Sequence, residues 1–450
     1  MPDAAHRWQY GSVISNQVND VHPPLYYLLF HTIASIWPGD FSPLVGLSLN
    51  LGVHLATMVV VALMIYLLTK NGFLSLMTSL AWGLSIGGLT SMLFIRMYHL
   101  MGLLVVLLTY LLLAYFRIQS NWKFALVLPI FATIVAGSLT HYYFYIIAGL
   151  LVAVTCLTLL LARAYAKTFA LGLTALGAVG AAWTLFPAVF THVTQSNRGI
   201  EVLANANDGT ITENLMKYVA FIQEDLLANI PLVVILGSLV VVVLILTFTA
   251  KGFLIQARIS QAAMLILPTL AYIFIVQNLS HYQTARYIFP IYPLMVIIMS
   301  LALYYSLYNL FNRSTASFVI SITVPILLGF GFYVGTVDFQ YVEQGELNAA
   351  VEQVPQQNVI VFAQKRWQIA QYSGQIAHYD KVYPMVLTST DSDALPVLDE
   401  DQVGQALTVF VSNPDLDQEK LIESVLDKYS LQSAQVIYQW DELTVYQFNP

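Results

Sequence analysis

The stretch that decides the fold is Asn19-Asp20-Val21-His22-Pro23-Pro24-Leu25-Tyr26-Tyr27, which stands just before a long series of apolar segments. Proline fixes φ and suits the first turn of a helix, and the residue before a proline leaves the α region. We therefore expect an extended entry at Asp20 and His22, then a helix opened by Pro23-Pro24 that runs through about Trp37. Its aromatic residues are typical of a membrane–water interface. A carboxylate and an imidazole held there suit proton chemistry or phosphate binding, and a plain surface turn is the alternative.

The composition is that of a membrane protein. The chain has 450 residues, of which 58% are hydrophobic and 10% are charged, and its mean hydropathy is +0.69. Soluble proteins carry about 25% charged residues. No basic stripe suited to nucleic acid is present, and the single Cys156 excludes an intrachain disulfide.

Long stretches without Asp, Glu, Lys or Arg predict transmembrane helices, because about twenty apolar residues cross a bilayer. We expect ten spans, near 44–69, 73–95, 97–116, 123–139, 142–162, 168–191, 229–250, 260–277, 286–311 and 315–335. The predicted fold class is therefore an α-helical polytopic membrane protein, with about ten transmembrane helices after an N-terminal interfacial helix.

The loops between these spans predict the orientation, because Lys and Arg accumulate on the cytoplasmic side. One alternate set of loops carries cations and no acids, namely Lys70, Arg117, Lys123, Arg163, Lys167, Lys251, Arg258 and Arg313. We assign this set to the cytoplasm. The prediction is a multi-pass protein of the cell membrane with both termini of this chain extracytoplasmic.

The opposite set of loops collects ionisable and aromatic residues from five segments. They are His22, Arg96, Tyr98, His99, His141, Tyr142, Tyr143, His192, His281, Tyr282 and Arg286. A bilayer does not tolerate such groups without partners or a wet cavity, so their gathering favours a polar site on the outer face. Taken singly, each arginine also fits an interfacial anchor, and each histidine a structural residue at a helix end.

The longest break between spans is 192–228. Turn residues fill 205–210, and Thr212 fits the N-cap of a helix over about 213–222. Loops of this length are commonly lids, binding loops or disordered segments. Glu224 and Asp225 near its end fit either catalytic carboxylates or solvated acids, and we favour solvated acids.

The character of the chain changes after Val337, which predicts two domains, 1–337 and 338–450. Strands alternating with helices indicate a small extracytoplasmic α/β domain. We expect its strands at 358–362, 406–411, 434–438 and 443–448, and its helices at 366–372 and 417–428. Because it lacks a glycine-rich phosphate loop and a nucleophile elbow, we expect it to shape the substrate site or bind a partner.

The stretch from Asp20 to Tyr27 resembles the signature of polyprenyl-phosphate-dependent glycosyltransferases of the GT-C superfamily. Bacterial members of glycosyltransferase family 39, the protein O-mannosyltransferase-like group, resemble it more closely than aminoarabinose transferases do. Three less specific stretches agree with this resemblance, which covers roughly residues 20–340: Phe94-Ile95-Arg96-Met97-Tyr98, Leu139-Thr140-His141-Tyr142-Tyr143 and Thr284-Ala285-Arg286-Tyr287-Ile288-Phe289-Pro290.

The resemblance implies a hexosyltransferase that passes a sugar from a polyprenyl-phosphate carrier to an extracytoplasmic glycan, lipid or protein. Such a transfer needs a carboxylate as general base on the acceptor and cationic groups on the departing phosphate. We expect Asp20 to be the acceptor-side base or a structural acid, with His22 as its partner. Guanidinium groups match phosphate oxygens, so the expected lipid-phosphate and sugar site is Arg96 and Arg286, supported by Tyr98, His141 and Tyr287.

The chain departs from the family before Asp20. The catalytic acid of the family usually lies in an Asp-Glu pair after a first transmembrane helix, and this sequence has neither. We expect that the recorded start is internal to a longer protein, and an altered member is the alternative; Asp3 and Glu224 stand behind Asp20 as candidate carboxylates. The motifs require no metal or other cofactor, although Asp20 and His22 also form a weak two-ligand pattern for a divalent cation.

Two other function classes fit the sequence. A transporter or flippase would move a lipid-linked sugar without bond chemistry, but such folds often show inverted repeats and no such symmetry is visible here. A catalytically inactive membrane scaffold would instead use the outer domain 338–450 to bind a partner. Sugar transfer by the purified protein separates the glycosyltransferase from both.

Overall fold

The computed structural model divides the chain into two compact units, Met1–Asp338 and Phe339–Pro450. We call the first the membrane unit and the second the C-terminal unit, and each is described by itself. The structure describes residues 6–37, 42–118, 125–194, 211–227, 253–280, 283–310, 312–335, 337, 345–364, 368–369, 372–386, 395–398, 405–413, 416–440 and 443–450.

The membrane unit consists of helices that follow one another along the chain. Its described helices are α1 (Tyr10–Asn19), α2 (Leu25–Ile36), α3 (Pro43–Thr69), α4 (Gly72–Gly83), α5 (Ile86–Leu93), α6 (Tyr98–Arg117), α7 (Val127–Ser138), α8 (Tyr143–Leu161), α9 (Tyr165–Leu185), α10 (Val189–Thr194), α11 (Ile211–Leu227), α12 (Phe253–Leu279), α13 (Tyr292–Leu310) and α14 (Arg313–Val334). Two 3₁₀ turns, Ala285–Tyr287 and Phe289–Ile291, lead into α13. Within the described residues, α3, α6, α8, α9, α12 and α14 contain the six continuous helices that are long and apolar enough to cross a membrane. The predicted polytopic helical fold is therefore confirmed.

The entry to the bundle has the predicted form. Asp20 ends α1 in extended backbone, with φ −95° and ψ −177°, and Pro24 is the residue before α2. Helix α2 is apolar but has only 12 residues, fewer than a span needs. Helix α1 is missing from the sequence-based prediction, because its asparagine, glutamine and serine residues obscure its apolar face.

The predicted span 73–95 is two helices joined at a sharp bend rather than one straight helix. Helices α4 and α5 replace it and are bent by 55° relative to each other. Ser85 makes the break, because its hydroxyl donates to the carbonyl of Trp82 at 2.8 Å and accepts from the N–H of Gly88 at 3.0 Å. One side chain thus closes α4 and caps α5.

Two other predicted spans differ from the observed helices, and a third lies outside the described residues. The span 123–139 contains only the 12-residue α7, and the span 286–311 begins with the 3₁₀ turns. The span 229–250 lies outside the described residues, so the count of ten remains a prediction.

Helix α6 occupies the centre of the membrane unit and is the most buried of the six candidate spans. It packs against α3, α7 and α8 and against the 3₁₀ turn at Phe289. Its own side chains are apolar around the whole helix, which is the pattern of a helix enclosed by other helices. Its first residue, Tyr98, is buried.

The C-terminal unit has the predicted α/β organisation, built on a five-stranded sheet. Its strands are β1 (Asn358–Ala363), β2 (Lys381–Val386), β3 (Leu407–Ser412), β4 (Ser433–Trp440) and β5 (Leu443–Asn449), and its helices are α15 (Gly345–Glu352), α16 (Ser373–Ile376) and α17 (Gln418–Tyr429). The strand order is β2-β1-β3-β5-β4, with β1 parallel to β2 and β3, and β5 antiparallel to β3 and β4.

The two faces of this sheet are covered by different helices. Helix α17 packs Leu421 and Val425 on one face, and α15 packs Leu347 and Val351 on the other. The sequence-based prediction missed β2, because this strand contains Pro384 and is mostly exposed, as an edge strand tolerates. It also missed α15, and most of the predicted helix 366–372 lies outside the described residues.

Helices α7 and α8 approach closely at Gly137. A Cβ atom there would lie 2.2 Å from ring carbons of Phe144, whose side chain is fully buried. We expect Gly137→Ala to destabilise the protein by about 1–3 kcal/mol, the usual cost of overpacking. Thermal unfolding of the purified protein in detergent measures the change. Gly149→Ala on α8 is the matched control, because a Cβ there meets nothing within 4 Å; equal melting temperatures for the two variants would contradict the packing.

Candidate functional site

Asp20 and His22 form the first part of the site, in the extended segment between α1 and α2. Nδ1 of His22 lies 3.1 Å from Oδ2 of Asp20, and the Asp20 side chain is 43% exposed while that of His22 is 15% exposed. The N–H of Leu25 donates to the carbonyl of Leu139 at 2.9 Å. This bond joins the Pro-Pro entry to the turn that carries His141.

His141 lies beside His22 as a neutral hydrogen-bond donor. Its ring centroid is 6.3 Å from that of His22, and its Nδ1 accepts from the backbone N–H of Tyr143 at 3.0 Å. Burial first, then the charges of His22 and Arg286, lower the pKa of His141 to about 3. Because Nδ1 is an acceptor, the single proton of the neutral ring is on Nε2.

A group of aromatic rings continues from His141 into the bundle end. The Tyr98 ring lies 5.1 Å from the His141 ring and 6.0 Å from the Tyr287 ring. Tyr143 packs on Tyr287 at 5.4 Å, and its hydroxyl lies 3.2 Å from Oγ of Ser280. Segments distant in sequence therefore meet around the N-terminus of α6.

Arg96 and Arg286 meet at this aromatic group from two different segments. Both side chains are half-buried, and both positive charges act electrostatically on Tyr98. The guanidinium carbon of Arg286 lies 5.2 Å from the centroid of the Tyr287 ring, a cation–π contact. The structure thus brings together all seven predicted site residues: Asp20, His22, Arg96, Tyr98, His141, Arg286 and Tyr287. Two cationic side chains therefore lie in a largely apolar bundle end.

Asn50 of α3 fixes the segment that carries Arg96. It is fully buried, and its amide nitrogen donates to the carbonyls of Met92 and Phe94 at 2.8 and 3.0 Å. Its amide oxygen accepts from the hydroxyl of Tyr26 at 3.1 Å. The sequence analysis missed Asn50, although a polar residue inside an apolar span is a signal of a specific role.

Helix α11 lies beside this group of residues. Its Tyr218 is fully buried and interacts electrostatically with Tyr143, Tyr287 and Arg286. The sequence predicts a helix over about 213–222 here, and the observed helix is longer, Ile211–Leu227. Tyr218 was not predicted as a site residue, although the apolar face of this helix indicates that it packs against other helices.

The prediction that Glu224 and Asp225 are both solvated is wrong for Asp225. Glu224 is exposed, but Oδ2 of half-buried Asp225 accepts from the hydroxyl of Tyr292 at 2.5 Å. The sequence alone does not show this contact, because the two residues belong to helices far apart in the chain.

His54 and His99 form a separate buried pair behind Tyr98. Nδ1 of His54 lies 3.3 Å from Nε2 of His99, and the rings are stacked at 5.2 Å. Nε2 of His54 donates to the carbonyl of Gly83 at 3.0 Å, and Nδ1 of His99 lies 3.1 Å from Oγ of Ser91. The sequence analysis grouped His99 with the outer-face residues; the structure places it in this pair, which supports the break between α4 and α5.

Two more residues of the predicted outer group make a structural contact. Nε2 of His192 donates to the carbonyl of Val18 at 2.9 Å, so its Nδ1 accepts from the hydroxyl of Tyr142 at 2.6 Å. Burial raises the pKa of Tyr142 above its ordinary value, which keeps the hydroxyl a donor. His281 and Tyr282 lie outside the described residues.

The described residues offer no ready metal centre. Among them, no group of three or more His, Cys, Asp or Glu side chains is placed to hold a metal ion. Asp20 and His22 would supply two ligands, fewer than a typical protein metal site uses.

The chain shares its fold with ArnT. It is similar to the crystal structure of ArnT from Cupriavidus metallidurans in the apo state, with TM-score 0.57 and 12% identity over 99% of this chain and 93% of that one. The crystal structure of the same ArnT bound to undecaprenyl phosphate matches with TM-score 0.56, 12% identity and the same coverage. No protein-family model and no curated protein sequence matches the chain. This likeness establishes the fold, and membership of the GT-C superfamily and of glycosyltransferase family 39 both remain predictions.

We expect His141 to stay neutral between pH 5 and pH 8, because burial lowers its pKa from 6.5 to about 3. Nitrogen-15 NMR of histidine-labelled protein measures the protonation of the ring, and His141→Gln assigns the resonance. Resonances that do not shift over this range fit the geometry. A titration midpoint near pH 6.5 would contradict the buried, neutral ring.

Proposed function

We propose that this protein is a membrane glycosyltransferase that moves a sugar from a polyprenyl-phosphate carrier to an extracytoplasmic acceptor. The convergence of Arg96 and Arg286 on Tyr98, inside an apolar bundle, is the observation that carries the proposal. A lipid phosphate combines the two properties that such a place selects, an anionic head and an apolar tail. The ArnT structure that shares this fold was determined with undecaprenyl phosphate bound.

On the donor side, the two guanidinium groups hold the phosphate oxygens. When the bond between the anomeric carbon and the phosphate oxygen breaks, the electron pair leaves on the phosphate, which gains negative charge. Arginine stays protonated throughout, so Arg96 and Arg286 stabilise this charge without moving a proton. The Nε2–H of His141 supplies a neutral donor beside them.

On the acceptor side, Asp20 takes the proton of the acceptor hydroxyl while the acceptor oxygen forms its bond to the anomeric carbon. His22 donates to the Asp20 carboxylate and holds its orientation. The products are the glycosylated acceptor and the polyprenyl phosphate, and the proton passes from Asp20 to water. The partial exposure of Asp20 suits a group that must meet an incoming acceptor.

We also propose the kind of transferase, its orientation in the membrane and the class of its acceptor. The chain is a family 39 type hexosyltransferase, its site and both of its termini are extracytoplasmic, and its acceptor is a glycan, a lipid or a protein. The C-terminal unit shapes the acceptor site or binds a partner.

Loss of either arginine is expected to weaken lipid-phosphate binding. Each guanidinium–phosphate contact is a charge-assisted hydrogen bond worth about 1.5–3 kcal/mol, so Arg96→Ala and Arg286→Ala should each raise the Kd for undecaprenyl phosphate by roughly 10- to 100-fold. Native mass spectrometry of the protein in nanodiscs, with undecaprenol as the uncharged comparison, measures the difference.

Arg117→Ala is the matched control for this test, because Arg117 lies at the opposite end of the α6 helix and bonds to the carbonyl of Leu67. It should bind the lipid phosphate as the unchanged protein does. Equal binding of undecaprenol and undecaprenyl phosphate by the unchanged protein would contradict the phosphate site.

Asp20→Asn is expected to lower sugar transfer at least 100-fold while leaving undecaprenyl phosphate binding unchanged, because the amide keeps the shape of the carboxylate and cannot accept the proton. Transfer of radiolabelled sugar from extracted lipid-linked sugars to membrane acceptors measures the rate. Asn19→Ala, at the exposed neighbouring residue, is the control. Lipid movement across vesicles without transfer would favour a flippase, and neither binding nor transfer would favour a scaffold.

A further inference from the structure

Helix α11 makes a specific contact with two membrane elements at Asp225. The carboxylate accepts from the hydroxyl of Tyr292, the first residue of α13, at 2.5 Å. On the other side, a Cβ atom at Gly87 of α5 would lie 3.0 Å from Cβ of Asp225 and 3.0 Å from the Tyr292 ring. Asp225, Tyr292 and Gly87 therefore meet in one contact that has no room for a larger side chain at Gly87.

This contact is made by Asp225 and not by Glu224, the acidic residue next to it on α11. Tyr292 is fully buried, so its hydroxyl must find an acceptor inside the structure. Hydrogen bonds to an ionised carboxylate are short and roughly twice as strong as neutral ones. Glu224, the adjacent acid, is exposed to solvent.

This contact lies between the two segments that carry the arginines. Helix α5, which contains Gly87, runs through Phe94 directly to Arg96. The 3₁₀ turns that contain Arg286 and Phe289 run directly into Tyr292. The rings of Phe94 and Phe289 meet edge to face at 6.3 Å. Asp225 therefore contacts Gly87 on the segment that leads to Arg96 and Tyr292 on the segment that follows Arg286. Tyr218 of the same helix interacts electrostatically with Arg286.

We infer that Asp225 is a positioning residue, which holds α5 and α13 in register so that Arg96 and Arg286 face the same anion. This inference rests on the proposed function, because it assumes that the two guanidinium groups bind a lipid phosphate together. Asp225 itself does not touch the phosphate. Its bond to Tyr292 holds α11 against the two segments that carry the arginines. Because Gly87 has no side chain, Asp225 can pack closely against α5.

The inference is tested by a double-mutant cycle of Asp225→Ala and Tyr292→Phe, with undecaprenyl phosphate as the probe. Each single variant should raise the Kd about tenfold, the factor for one hydrogen bond to a charged group. The double variant should bind no worse than either single variant, because both remove the same bond. Asp225→Asn should recover part of the affinity, since its amide oxygen still accepts from Tyr292.

A second readout does not depend on any ligand. Hydrogen exchange of α11 in the unliganded protein should accelerate in Asp225→Ala, Tyr292→Phe and Gly87→Ala, and should stay unchanged in Glu224→Gln. Glu224→Gln removes the same charge from the neighbouring position, so it controls for net charge. Gly180→Ala, where a Cβ meets nothing within 4 Å, controls for a glycine change in a helix.

The outcomes separate this inference from the proposed function. If the unchanged protein does not bind undecaprenyl phosphate but exchange in α11 accelerates as described, the lipid-phosphate function is wrong and Asp225 only anchors α11. If the unchanged protein binds the lipid and Asp225→Ala binds it equally well, the positioning role is overturned. Additive losses in the double variant would also overturn it, because the two side chains would then act separately.

Discussion

The cost of placing two guanidinium groups inside an apolar bundle governs the rest of this structure. Arg96 and Arg286 are half-buried at the end of helices that are otherwise almost free of charge. Such charges are tolerated in a membrane protein only with partners or water around them. The aromatic ring of Tyr287 lies against one guanidinium, and Tyr98 interacts with both. These ring interactions are the basis for proposing an anion site here.

Breaks in the helices supply these polar groups. Asp20 and His22 lie between α1 and α2, Arg96 between α5 and α6, His141 between α7 and α8, and Arg286 in the turns before α13. Non-helical backbone at membrane depth must be satisfied inside the protein. Asn50 does this for Met92 and Phe94, and the His54–His99 pair does it for Gly83. These supports fix the breaks so that the side chains they carry keep their places.

The sequence predicted that residues at several helix ends lie near one another, although it missed Asn50 and Tyr218. Pro23 and Pro24 mark the helix entry, and the other site residues lie at the ends of uncharged runs on one predicted side of the membrane. Helix ends on the same side of a bundle are near one another, so residues such as Arg96 and Arg286 were expected to meet. The alternation of strands and helices after Val337 likewise identified the α/β unit.

Most of the features that sequence reasoning missed depend on contacts between distant segments, and one depends on a local cap. The break at Ser85 comes from a local cap that hydropathy does not detect. Asn50 and Asp225 look like an ordinary polar residue and an ordinary solvated acid until their partners, Phe94 and Tyr292, are placed beside them. Strand β2 carries Pro384 and little apolar pattern, so only its pairing with β1 reveals it.

The most direct test of a lipid-phosphate site is an electron cryo-microscopy map of the protein in nanodiscs that contain undecaprenyl phosphate. The account predicts density for the phosphate between the guanidinium groups of Arg96 and Arg286, next to Tyr98, with the prenyl chain leading away over the apolar helices. A phosphate bound elsewhere, with these two arginines facing only protein or water, would contradict it.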